Sequence, residues 1–184
     1  MDKDKILFET KFLQMKQAQS PSGNPWYYAH RPNINGIVVI VPVIEDAILF
    51  LETYRPPIAQ EKIAEHCIEL PAGLVGDIDR EETMIEAAKK ELLEETGYSA
   101  DSIEICAQNC SSSPGATSEV FTLVIARIND RTIDEKSLTS DGGIIVKRHL
   151  VKIKDIKAWL DAQMKQGKSV TAQTYAGLFF ALHS

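Results

Sequence analysis

A layered α/β fold with a mixed β-sheet is predicted by three features of this 184-residue chain. Short β-branched and apolar runs recur between residues 37 and 151. One segment of helical period, Thr83 to Thr96, interrupts them. Two further helical stretches close the chain. Strands around one central helix, with helices at the end, bury their apolar faces most simply as stacked layers.

The elements follow in order. Ile6 to Met15 mixes two periods and reads as a strand. Ser20-Pro21-Ser22-Gly23-Asn24-Pro25 is a turn cluster, and Trp26-Tyr27-Tyr28 begins a second strand. Asn33-Ile34-Asn35-Gly36 is another turn. Ile37 to Val43 has the near-continuous β-branched character of a buried strand, and Ala47 to Thr53 follows it. Tyr54-Arg55-Pro56-Pro57 leaves the sheet, because proline cannot donate to a ladder. Cys67 to Leu70 is a short strand that stops at Pro71-Ala72-Gly73. Strands are expected at Ile103–Gln108, Val120–Ile128 and Ile144–Val151, and helices at Ile153–Gln166 and Thr171–His183, split by Gly167. These segments suggest an N-terminal strand arm over residues 1–35 and a main domain over 36–184.

Composition excludes several classes. The net charge is -6, so a basic nucleic-acid-binding face is not expected. No apolar run reaches the roughly 18 residues of a membrane helix, and the charged start lacks a signal-peptide core. Cys67, Cys106 and Cys110 are too few for a disulfide scaffold, which points to a reducing cytoplasm. An anionic substrate would need local arginines or divalent cations to reverse the acidic field.

The central helix carries the chemistry. Thr83 and Glu86 form a capping box, and Gly97 occupies the C-terminal position that favours a left-handed residue. Met84, Ile85, Ala88 and Leu92 fall on one apolar stripe. Glu91 and Glu95 share a face that adjoins this stripe, with Glu94 beside them. Three carboxylates at the edge of a buried face repel one another and are costly to desolvate. A hard cation such as Mg²⁺ suits that oxygen-rich setting. A solvated acidic helix face is the alternative.

The pattern surrounding the helix shifts the balance toward the metal reading. Gly76, Glu82, Lys90-Glu91, Leu92, Leu93, Glu94-Glu95, Thr96, Gly97 and Tyr98 follow the box of the Nudix hydrolases at every interval. Lys90 stands where the family has arginine, and Tyr98 is aromatic where the family has an aliphatic residue. The chain resembles that family. The resemblance implies an α/β/α sandwich whose central helix bears the carboxylates. It also implies Mg²⁺-dependent attack of water on the pyrophosphate of a nucleoside diphosphate derivative, with Mn²⁺ as a substitute. Glu91, Glu95 and Glu94 would hold metal, and the cation would neutralise phosphate charge and activate water. Lys90 keeps the charge of the family's arginine without its planar fork.

The flanks are similar to the ADP-ribose pyrophosphatase branch. Tyr54-Arg55-Pro56-Pro57, Ile68 to Leu74 and Ser113-Pro114-Gly115 carry that likeness, with Pro114 placed 16 residues beyond Tyr98. The likeness covers about residues 20 to 184. It implies a metal-binding carbonyl at Ala72, and phosphate or nucleotide contacts at Arg31 and Arg55. It implies base stacking on Trp26, often within a domain-swapped homodimer. Glu69, Gly73, Leu74, Ser113, Pro114 and Gly115 complete the expected substrate surface. Each has a plainer alternative: Trp26 as a core plug, Arg55 as a solvated loop residue, Glu69 in a structural ion pair, Pro114-Gly115 as a turn.

The general base is open on sequence. The branch often supplies a loop glutamate late in the domain. Here the matching loop, Ser140-Asp141-Gly142-Gly143, offers only Asp141. Glu94, or a metal-bound water needing no base, is the favoured reading, with Asp141 second. The expected substrate is ADP-ribose, split into AMP and ribose 5-phosphate. A UDP- or GDP-sugar, or a catalytically silent nucleotide-sugar-binding module, are the alternatives.

Overall fold

The computed structural model describes residues 4–139 and 144–183. Three strands come first: β1 (Lys5–Glu9), β2 (Gln14–Gln19) and β3 (Pro25–His30). They form an antiparallel sheet of their own in the order β1-β2-β3. The expected single strand over Ile6–Met15 is therefore two. Thr10 breaks it, its hydroxyl accepting the backbone N–H groups of Phe12 and Leu13 at 3.2 and 2.9 Å. The arm meets the rest of the chain through β3. The Ala29 N–H donates to the Ala116 carbonyl at 2.8 Å, and the Ser118 N–H donates to that of Ala29 at 3.1 Å.

The main sheet follows. It comprises β4 (Gly36–Ile44), β5 (Ala47–Thr53), β6 (Cys67–Glu69), β7 (Ala72–Val75), β8 (Ser102–Cys110), β9 (Phe121–Ile128), β10 (Ile145–Lys152) and β11 (Ser169–Val170). The order β11-β6-β5-β4-β9-β8 is mixed, since β4 runs parallel to β9 and antiparallel to β5. Strand β7 pairs with the first half of β4, while β10 pairs along the whole of β5. The helices are α1 (Pro56–Gln60), α2 (Met84–Thr96), α3 (Ile156–Lys165) and α4 (Ala172–His183). Strands β7 and β11 and the short α1 were not expected from sequence. Each is two to five residues long, too short for a periodic signal.

Alternation along β4 separates two cores. Val38, Ile40 and Ile44 face one side with Ala87, Ala88 and Leu92 of α2. Val39 and Val41 face the other, with Ile156 and Leu160 of α3 and Leu178 of α4. The result is the expected α/β/α sandwich. Gly177 allows α4 its close approach, because a Cβ there would lie 2.5 Å from Leu70 Cδ1. On α2 the buried stripe includes Ala87, whereas Ile85 is only half-buried.

Candidate active site

Helix α2 is set at both ends by local sequence. The Thr83 hydroxyl accepts the Glu86 N–H at 3.2 Å, and the Glu86 carboxylate accepts the Thr83 N–H at 2.9 Å. Gly97 has φ +77°, and a Cβ there would lie 2.6 Å from Ile133 Cγ2. The helix thus presents Glu91, Glu94 and Glu95, all half-buried, to the strand–loop–strand passage from β6 to β7. Glu95 Oε2 accepts the Ala72 N–H at 3.0 Å. Glu91 lies directly on Gly73: a Cβ at that position would fall 2.0 Å from the Glu91 carboxyl carbon. Only glycine lets the carboxylate take this place. Lys90 Nζ donates to Glu82 Oε1 at 3.2 Å and stands 3.7 Å from Glu91 Oε1. Glu82 in turn accepts the Gly76 N–H at 3.0 Å.

These groups line a cleft of about 440 Å³. Asp77 joins Glu91, Glu94 and Glu95 on its acidic wall, and Arg31 and Arg55 face them. Burial raises the Glu91 carboxyl to about 7; Lys90 opposes the rise, and Glu94, Asp77 and Glu82 add to it. Each arginine is anchored by its own carboxylate: Arg31 Nε to Glu119 at 2.9 Å, and Arg55 Nη2 to Glu69 at 2.7 Å. The donor set is oxygen-only and crowded with like charge, so its chemistry fits a hard divalent cation. Among the described residues, however, no three acidic, histidine or cysteine side chains stand arranged as a ready cage. Lys90 and the Ala72 N–H occupy part of the carboxylates' capacity instead.

A family profile described as NUDIX domain matches residues 35–172. The chain belongs to the NUDIX family. Members of this family generally act with a divalent metal. The chain is 30% identical over 148 residues to ADP-sugar pyrophosphatase of Mus musculus, covering 76% of this chain and 63% of that one. It is 29% identical over 137 residues to putative nudix hydrolase 2 of Caenorhabditis elegans, covering 67% and 58%. This NUDIX chain therefore spans about three-fifths of the length of the curated relatives it matches. A solved structure, described as the crystal structure of ADP compounds hydrolase, superposes with a TM-score of 0.64 at 19% identity. It covers 99% of this chain and 91% of its own, and shows the shared fold.

Other expected site residues of the NUDIX domain distribute unevenly. Ala72, Gly73 and Leu74 line the cleft beside the acids. Trp26 is not a core plug: it is 51% exposed, and its indole N–H donates to the Gly115 carbonyl at 3.0 Å. Ser113 accepts the N–H groups of Ala116 and Thr117, so Ser113-Pro114-Gly115 is a turn beneath Trp26 and does not line the acidic cleft. Arg55 and Glu69 form the ion pair weighed for Glu69, so Arg55 is not a purely solvated loop residue. Asp141 lies outside the described residues.

Three contributors escaped the sequence reading. Asp77 sits inside the box spacing, and its proximity to Gly76 was the available signal. Arg148 of β10 donates from Nε to the Glu95 carbonyl. Thr139 lines the cleft, and its N–H donates to the Glu94 carbonyl at 3.1 Å. Both cap the last turn of α2, where helix carbonyls lack intrahelical partners.

Proposed function

We propose that this chain hydrolyses the pyrophosphate of a nucleoside diphosphate sugar, with ADP-ribose the first substrate, giving AMP and ribose 5-phosphate. The observation that carries this reading is the cleft in which Glu91, seated on Gly73, and Glu95, bonded to Ala72, face Arg31 and Arg55. A bound Mg²⁺, or Mn²⁺ in its place, would neutralise phosphate charge and make water more acidic. Glu91, Glu95 and Glu94 would hold it, with the Ala72 carbonyl. Arg31 and Arg55, each oriented by a carboxylate, supply the positive charge that receives a diphosphate. Water forms a new P–O bond, the bridging P–O bond breaks, and Glu94 takes the proton. Lys90 holds Glu82 and Glu91 together despite lacking the arginine fork, which favours an active box over a silent one.

Incubation with ADP-ribose and Mg²⁺ should release AMP, and a chelator should stop it. ADP-ribose bound without turnover would make the protein a nucleotide-sugar sensor instead. UDP- and GDP-sugars in the same assay rank the base. For the proton acceptor, turnover against pH at saturating metal should collapse in Glu94→Gln and persist in Asp141→Asn. The reverse pattern moves the base to the loop.

We also infer that residues 1–35 act as a dimerising arm on the catalytic domain. Ile6, Phe8, Phe12 and Tyr27 of this arm are roughly half exposed or more, an apolar surface that a partner's sheet would cover. The free Cys67, Cys106 and Cys110 support a cytoplasmic setting. Among the described residues no helix is long and apolar enough to cross a membrane.

A further inference from the structure

Helix α2 carries two of its acids at the unfavourable end of its own dipole. Glu94 and Glu95 lie in the last turn, where a helix is partly negative, and that turn holds no basic residue. The carbonyls of a last turn also lack partners within the helix. That of Leu93 is met locally, by the Gly97 N–H at 2.8 Å. Those of Glu94 and Glu95 are met from far along the chain, by the Thr139 N–H at 3.1 Å and by Arg148 Nε.

Arg148 breaks the pattern of its strand. It pairs with Leu51 of β5, which is 2% exposed and belongs to the core layer under α2. Directly paired residues of an antiparallel ladder share a face, so Arg148 stands half-buried on the α2 side. His149, next along, turns to the other layer and lies 5.2 Å from the Trp159 ring. An apolar side chain opposite Leu51 would fill the place of Arg148 without desolvating a charge. The guanidinium instead brings a cation and a charge-assisted donor to the end of α2. Glu95 is thereby held at two points. Its carboxylate accepts the Ala72 N–H at 3.0 Å, and its carbonyl accepts Arg148 Nε. We propose that Arg148 is a positioning residue for the divalent-cation site, acting through the backbone of Glu95. The proposal rests on the reading of Glu91, Glu94 and Glu95 as metal ligands given above.

The sign of the effect separates this role from two others. A guanidinium acting by charge alone repels a cation, so its removal would tighten metal binding. One acting as a helix cap alone would matter no more to the metal than the Thr83 cap at the opposite end of α2. The test is Mn²⁺ binding to the full chain without substrate, read from the spin resonance of free Mn²⁺, with melting followed in parallel. Arg148→Met should weaken Mn²⁺ about tenfold, as for the loss of an outer partner that orients a ligand. The Mg²⁺ concentration for half-maximal ADP-ribose turnover should rise by the same factor. Arg148→Lys, which keeps a charged donor, should recover most of the affinity. Thr83→Ala should lower the melting temperature and leave Mn²⁺ affinity within about twofold of the wild type. Unchanged or tighter binding in Arg148→Met, no recovery in Arg148→Lys, or an equal loss in Thr83→Ala would each overturn the assignment. A wild-type protein that neither binds Mn²⁺ nor turns over ADP-ribose would overturn the hydrolase reading itself, and this role with it.

Discussion

Glu91 sits half-buried among other acids, with Lys90 3.7 Å from its carboxylate. Burial lifts its carboxyl to about 7, so near pH 8 its ionised form opposes folding of the metal-free protein. Glu91→Gln removes that opposition together with a ligand. Turnover should fall by two or more orders of magnitude at saturating Mg²⁺, while the metal-free melting temperature at pH 8 stays level or rises. Wild-type turnover in this variant would remove Glu91 from the catalytic machinery. The residue's chemical type was legible in the sequence, because acids three and four apart on a helix must share a face. Its seat was not. Gly73 lies 18 positions upstream, and only the approach of β7 to α2 turns a glycine between Ala72 and Leu74 into the backing of a carboxylate.

At the scale of elements, the sheet is tied to the C-terminal segment by a buried acid. Glu52 of β5 is 6% exposed. It bonds His66 at 2.9 Å, His149 of β10 at 2.9 Å and Lys168 at 2.7 Å. Burial alone would raise its carboxyl, but Lys168, His149 and His66 together bring it down to about 2. A depressed acid stabilises the fold above its ordinary value of 4.5 and loses that contribution as pH falls toward 2. The contribution is on the order of 3 kcal/mol. Urea unfolding should therefore show stability falling between about pH 4.5 and 2. Glu52→Gln should flatten that part of the profile and lower stability at pH 7, because the half-buried Lys168 loses its countercharge. Parallel profiles for the two proteins would refute this account. The sequence offered no sign of the cluster, whose members come from positions 52, 66, 149 and 168.

For the whole molecule, the arm is the element least explained by one copy of the chain. Among the described residues its three strands pair only among themselves, apart from the bridge of Ala29 to Thr117. A three-stranded sheet with apolar side chains exposed needs a packing partner to be stable. Light scattering at micromolar concentration should give a homodimer. Deletion of residues 1–25 should shift it to monomer and weaken ADP-ribose binding, since Trp26 and Arg31 would lose the strands that position them. A wild-type monomer under those conditions would leave the arm without its proposed role.

The sequence by itself determined what depends on near neighbours along the chain. The capping box at Thr83, the glycine stop at Gly97 and the shared face of Glu91 and Glu95 are all closed within one or two helical turns, and each is present in the structure. The β-branched runs dictated strands. Tertiary structure alone decided which backbone the acids meet and which charges restrain them. Arg148 reaches the Glu95 carbonyl across 53 positions, and Arg31 reaches Glu119 across 88. The short β7 exists only because β4 offers it a ladder. Such contacts depend on strand order and register, which arise when distant segments bury their apolar faces together, and no local spacing encodes them.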